Sequence, residues 1–344
     1  MKKILAIMLA MMVILGSIAC AETASREELL EYYLSEANEV VVTDTQVIFT
    51  DDTDRGEIAI DKNPKKVAVL FGSIACLWYE AGGTIQLAVG GESPVALYEQ
   101  QIGRDFTKDE GVTVVAESSG GQTWDLEVIL SNEPDLIVCS TTMKGYSTIA
   151  GPAEAVGIPV IGINYNSVQD YFKYFKVFCN LNGTTELWDE IAMQTAESIV
   201  NTIISVPQDI EKPRVMGMLL GKDYLEAYGS DYTMGALFNE LGAINVADGD
   251  PDSGITSIEI NLEDLYAMDP EMIFINIRLN DWELEEYERR LEELEKNPVW
   301  NSLSAVQNDK VYLLPRALFH NKPNRDYSET YRMLAELLYP GCEF

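Results

Sequence analysis

Aromatic, arginine and histidine side chains recur in this sequence where strand-like segments give way to loops. The residues able to do chemistry there are Ser73, Trp124, Tyr146, Tyr224, Arg278, Trp282, Arg316 and His320. Ligands of open parallel sheets sit beyond the carboxyl ends of the strands. That rule selects the loops at 72–73, 90–98, 120–124, 140–146, 221–224, 278–282 and 316–320. Their residue types suit a large planar or polydentate ligand: Trp and Tyr offer apolar area and stacking, and Arg offers directed donors to carboxylate or catecholate oxygens. Trp124 stands in a glycine-rich loop, with packing beneath that loop as its alternative. Arg278 and Arg316 each follow a strand and could clamp an anionic ligand or pair with local acids. Tyr146 and Trp282 stand at helix starts. His320 is the single histidine of the chain; it could supply an axial bond to haem iron or be an ordinary loop residue.

One histidine cannot build a multi-histidine cage. A bound metal is therefore expected inside a chelate, as ligand rather than resident cofactor. The sequence holds no Walker A loop, no Gly-x-Ser-x-Gly and no zinc-protease motif, so the chain is read as no enzyme. The net charge of −32, from 24 basic and 56 acidic residues, argues against nucleic-acid partners. It suits solubility outside a cell.

The elements that would position these residues follow from pattern. At 344 residues and 47% hydrophobic content there is room for two domains. Lys2 and Lys3 precede an apolar run over 4–14, too short to span a bilayer, so residues 1–21 read as an export signal. Ser17-Ile18-Ala19-Cys20 resembles a lipoprotein box that would make Cys20 the lipidated N-terminus, although the usual Leu is replaced by Ser17. Cleavage before Glu22 is the other reading. Cys76, Cys139, Cys179 and Cys342 then remain, with no zinc spacing and no deducible pairing.

Residues 22–39 form an N-terminal extension with a short helix capped by Ser25. An α/β lobe over 40–166 opens with a hairpin over 40–60 and continues with strands at 67–71, 87–89, 113–116, 135–139 and 159–163. Helical spacing over 168–179 and 184–206 makes 167–207 a long helical connector. A second α/β lobe fills 208–344, with strands at 215–220, 225–228, 272–277 and 311–314. The fold class expected is α/β: two parallel-sheet lobes joined by a long helical connector. A duplicated phrase supports the pairing. DLEVILSNEPDLIVCS ends at Ser140 and NLEDLYAMDPEMIFIN ends at Asn276, while LWYEAGG (77–83) is echoed by LFNELGA (237–243). A two-lobed molecule without a catalytic motif is expected to hold its ligand between the lobes.

NPKKVAVLFGSIACLWYEAGG, both Leu-Glu to acidic-Pro-acidic phrases and PVWNSLSAVQNDKVYLLP (298–315), taken in this order, resemble the bacterial ABC-transporter substrate-binding proteins for iron complexes and cobalamin. The resemblance runs from about residue 40 to the C-terminus. It implies a monomer that captures an iron chelate, a ferric siderophore or haem, and delivers it to a membrane permease driven by an ATPase, with no chemistry of its own. It implies an exported protein, tethered to the membrane by lipid if Cys20 is modified. The family places an acid near the start of the first helix of each lobe to dock on the permease. Cys76 and Asn239 stand there in this chain, so Glu80 and Glu240 are the candidates to take over docking, or are surface acids. Corrinoid is the runner-up ligand. A lipid-anchored ligand sensor and a chelatase-like, cofactor-handling enzyme are the alternatives of other classes.

Overall fold

The computed structural model describes residues 24–117, 124–221, 224–230, 232–248, 257–277 and 284–344. Cys20, Arg278 and Trp282 lie outside them. The chain divides into two compact units: one holds the residues up to Val89 and Thr107–Ile204, the other Gly90–Phe106 and Ser205–Phe344.

In the first unit, the Ser25 hydroxyl and the Glu28 carboxylate form a reciprocal capping box that starts α1 (Arg26–Asn38). Strands β1 (Val41–Val42), β2 (Gln46–Thr50) and β3 (Glu57–Asp61) form an antiparallel sheet. The α/β rhythm follows with β4 (Val67–Val69), α2 (Gly72–Glu80) and β5 (Leu87–Val89). Next comes α3 (Glu92–Gln101), which belongs to the second unit. The first unit resumes with β6 (Thr113–Ala116), α4 (Leu126–Ser131), β7 (Leu136–Ser140), α5 (Tyr146–Ala155) and β8 (Val160–Ile163). Its five-stranded sheet is parallel throughout, in the order β6-β5-β4-β7-β8. The loop of the β2–β3 hairpin covers the β8 edge: Asp52 donates its N–H to Gly162 O at 3.0 Å, and the Asp51 carboxylate accepts Gly162 N–H at 2.9 Å.

The segment expected as a connector belongs to the first unit and comprises α6 (Val168–Asn182), a π-helical stretch Trp188–Met193, and α7 (Gln194–Ile204). The uninterrupted helix expected over 184–206 is thus broken into two geometries. Helix α6 is aromatic along its buried side, with Tyr171, Phe172, Tyr174, Phe175 and Phe178 fully buried. Lys173 ties it to α1 and to the hairpin loop, with Nζ 3.3 Å from Glu36 and 3.4 Å from Asp52.

The second unit runs β9 (Arg214–Leu220), β10 (Leu225–Tyr228), α8 (Thr233–Glu240), β11 (Ile244–Asn245), β12 (Ser257–Ile260), α9 (Leu262–Met268) and β13 (Met272–Ile277). It closes with α10 (Leu284–Glu295), α11 (Ser304–Gln307), β14 (Val311–Leu313), α12 (Arg316–Phe319) and α13 (Tyr327–Leu338). Strands β11, β9, β13 and β14 are parallel, whereas β10 lies antiparallel to both β9 and β12, so this sheet is mixed.

The duplicated phrase is the same physical device twice. Asp125 and Asn261 cap the N-termini of α4 and α9. Ile129 and Leu265 are fully buried beneath those helices. Glu133 (φ 49°) and Asp269 (φ 37°) turn the chain in the left-handed region before proline. The next acid then pins the edge of a neighbouring strand: Asp135 accepts Lys65 and Lys66 N–H at 2.7 and 2.9 Å, and Glu271 accepts Arg214 N–H at 3.1 Å. The second echo is equally close. Gly82 (φ 74°) and Gly242 (φ 75°) end α2 and α8, a conformation glycine adopts without a Cβ clash. The N–H of the next residue bonds back to Trp78 O or Phe238 O at 3.0 and 2.9 Å.

Candidate functional site

In both α/β sheets the strand order reverses beside the first strand, between β4 and β7 in one unit and between β9 and β13 in the other. Such switch points are where α/β sheets open a crevice. At the first, Ser73 (6% exposed) follows β4 and Ser140 (5%) ends β7, with the Ser140 and Thr142 hydroxyls 2.8 Å apart. Trp124 is 6% exposed and packs in the first unit's core with Leu70, Val115 and Ile129; its indole N–H has no partner among the described residues. Tyr146 starts α5 and lies close over Gly162, where an added Cβ would meet its ring at 3.1 Å. Burial raises its phenol pKa.

At the second switch point the structure opens a cavity of about 260 Å³. Leu219 of β9, Glu226 and Tyr228 of β10 and Asn276 of β13 contribute its sheet side. Thr233, Met234 and Leu237 of α8 add a helical wall, and the 318–323 segment, with His320, Asn321 and Lys322, closes it. The Tyr228 and Tyr232 rings stack there at 4.7 Å and 9°. A turn held by Asp248 sets that stack: its carboxylate accepts Ser230 N–H at 2.6 Å and Asn239 Nδ2 at 3.0 Å, and Asn245 Nδ2 at 3.3 Å. Helix α8 approaches this turn so closely that a Cβ on Gly235 would lie 2.0 Å from Gly229 O. Asn276 is 3% exposed and donates Nδ2–H to Phe319 O at 2.9 Å, which anchors the 316–323 segment to the sheet.

Of the residues singled out from sequence, His320 lines this cavity. Arg316 starts α12, where its carbonyl accepts His320 and Asn321 N–H at 3.0 and 3.1 Å. Tyr224 folds over Gly221 instead, where a Cβ would meet its ring at 2.4 Å. Ser73, Trp124 and Tyr146 belong to the other unit. Sequence reasoning missed Glu226, Tyr228, Tyr232 and Asn276. One signal for Asn276 was available: it is the polar last letter of the duplicated phrase, within an otherwise apolar strand.

Glu80 and Glu240 end α2 and α8. The hydroxyl of fully buried Tyr171 donates to Glu80 at 3.0 Å, and that of fully buried Tyr331 donates to Glu240. Cys76 is buried on α2, and Asn239 is bound into the Asp248 network. Among the described residues no group of three or more His, Cys, Asp or Glu could hold a metal ion. None of their helices is long and apolar enough to cross a membrane.

Comparison with known proteins places this architecture. The chain is 24% identical over 273 residues to the Fe(3+)-citrate-binding protein YfmC of Bacillus subtilis, covering 78% of each chain. It is 24% identical over 333 residues to the putative ABC transporter substrate-binding lipoprotein YhfQ of the same organism, covering 93% of this chain and 92% of the relative. Among solved structures, the triscatecholate siderophore binding protein FeuA of Bacillus subtilis, complexed with ferri-bacillibactin, superposes with a TM-score of 0.60 at 19% identity, over 79% of this chain and 91% of that one. That likeness is one of fold alone, a mixed α/β architecture. The description "Periplasmic binding protein" matches residues 67–318, and the chain belongs to that family.

Proposed function

We propose that this chain is the extracytoplasmic substrate-binding subunit of an ABC importer, which captures an iron chelate and hands it to a membrane permease. The observation that carries the reading is the second-unit cavity at the β9–β13 switch point, with its stacked tyrosine wall and polar residues at the strand ends. A concave site with an aromatic wall and few polar groups suits a compact chelate. Family membership and the Fe(3+)-citrate-binding relative support it. The similarity to a lipoprotein supports lipidation at Cys20.

Glu80 and Glu240 have a different role in this reading. Each carboxylate is half-buried and held by a buried tyrosine, so both serve as tethers between helices rather than as the permease contact.

The test is a tryptophan-fluorescence titration of the mature protein with ferric citrate, a ferric hydroxamate, a ferric catecholate, haemin and cyanocobalamin. Saturable binding of a ferric chelate, at micromolar or tighter affinity, is the expected result. Binding of cyanocobalamin alone would replace iron by corrinoid. A Soret shift with haemin that disappears in His320→Ala would make His320 an axial ligand. Binding of none of the five would overturn the proposal.

A further inference from the structure

One face of the second-unit cavity presents two acceptors, Glu226 and Asn276, while the basic His320 and Lys322 stand on another. Glu226, Leu219 and Asn276 are direct neighbours across β10, β9 and β13, so their side chains share one face of the sheet. The Asn276 amide is oriented unambiguously, because its Nδ2 faces a carbonyl, Phe319 O, that can only accept. Its Oδ1 is therefore the atom left over, buried and without a donor among the described residues. Native structures rarely leave such an acceptor unpaired, so each instance asks for an explanation. Glu226 lines the same cavity, half-buried, and has no hydrogen bond or ion pair from its side chain among the described residues. The basic groups there, His320 and Lys322, stand on the 318–323 segment, and each has interactions of its own.

We infer that this cavity receives a positively charged, hydrogen-bond-donating group of the ligand: a primary ammonium. The inference rests on the binding-protein reading and names the class of chelate, one that carries a free amine. An ammonium has three donors and no acceptor, which matches Asn276 Oδ1 together with the Glu226 carboxylate. The stacked pair Tyr228 and Tyr232 adds ring faces to which a cation is attracted. A catecholate or carboxylate placed on the Glu226–Asn276 face would meet the Glu226 charge and the Oδ1 lone pairs, and both repel it. The cavity therefore selects by what it refuses as well as by what it pairs.

The experiment compares two ferric complexes of one linear trihydroxamate, with its terminal amine free or N-acetylated, titrated against the mature protein by fluorescence quenching. The free amine should bind at least about tenfold more tightly, the ratio expected for one charge-assisted hydrogen bond. Glu226→Gln should remove most of that preference, bringing the affinities of the two complexes together. Asn276→Leu should reduce it as well, and its thermal midpoint reports folding; Glu226, half-exposed, keeps the test intact if that variant fails to fold. Equal affinity for the two complexes would overturn the inference and leave the importer reading standing. So would binding of ferric citrate or a ferric catecholate with neither hydroxamate bound. Binding of no ferric chelate would overturn both.

Discussion

The two units carry the same helix-turn-strand device and finish it differently. In the first, β7 ends in Ser140, whose hydroxyl is paired with Thr142, and the aromatic of that region, Trp124, is packed into the core. In the second, Asn276 stands one residue before the end of β13; its Oδ1 has no donor among the described residues, and it lines a cavity. The difference comes from what lies beside the central strand. Strand β5 pairs with β4, whereas β11 pairs with β9 only at Arg214 and Val215, leaving the upper edge of β9 to the antiparallel β10. Strand β10 brings Glu226 and Tyr228. A duplicated scaffold thus keeps its caps and buried anchors, while the antiparallel β10 contributes Glu226 and Tyr228 to a cavity in the second copy.

The strongest way to break the comparison is at the anchors. Ile129→Ala and Leu265→Ala each empty a fully buried site under an equivalent helix. Each should cost about 2–5 kcal/mol in chemical denaturation, and similar losses are expected in the two units. A loss in one unit only would show that the duplicated phrase does unequal work.

A second test uses a size exchange between the copies. The first unit pairs Trp78 with Gly83, and a Cβ on Gly83 would lie 2.1 Å from the indole nitrogen. The second pairs Phe238 with Ala243. Gly83→Ala should therefore destabilise by about 1–3 kcal/mol, and adding Trp78→Phe should recover part of that loss. Additive losses in the double variant would contradict the exchange.

Tethering by tyrosine makes a smaller, paired prediction. Tyr171→Phe and Tyr331→Phe each remove one hydrogen-bond donor from a half-buried carboxylate, at about 1–2 kcal/mol measured by urea unfolding. Uptake of a ferric chelate should survive both changes, whereas a docking role for Glu80 and Glu240 predicts impaired uptake at unchanged affinity in Glu80→Gln and Glu240→Gln.

The smallest effect separates the units by thiol reactivity. Cys76, Cys139 and Cys179 are buried in the first unit, and Cys342 is exposed in the second. Burial pushes the Cys139 and Cys179 thiols up to about 12, with Asp51 adding to the shift at Cys139 and Glu80 at Cys179. Burial also raises Cys76. At neutral pH a chromogenic disulfide reagent should modify Cys342 rapidly and the three buried thiols only after denaturation. Rapid native labelling of any of the three would contradict the packing.

Much of the scaffold was legible because it is written twice. The caps at Asp125 and Asn261, the acid-proline turns and the C-terminal glycines are local devices with local sequence signals. Three features were not legible for physical reasons. The segment 90–98 reads as a loop, yet Glu92–Gln101 is helical; Pro94 falls in the first turn, where its missing N–H costs nothing, and buries with Leu97 and Tyr98. The direction of β10 depends on its pairing with β9, which a run of four residues does not encode. The tyrosine stack depends on a turn held by Asp248, eighteen residues beyond Ser230. The sequence-derived aromatic and arginine candidates were chosen for their type at strand ends. Glu226 was passed over because a single polar residue in a short strand carries no pattern, whereas the polar letter that the duplicated phrase offers at Asn276 was not of the aromatic or basic types sought at strand ends.

The most direct measurement of the central claim is a crystal structure of the mature protein with the ferric trihydroxamate that bears a free amine. The account predicts the chelate in contact with the second-unit cavity, with its nitrogen within hydrogen-bonding distance of Asn276 Oδ1 and the Glu226 carboxylate. A chelate bound without touching either residue would contradict it.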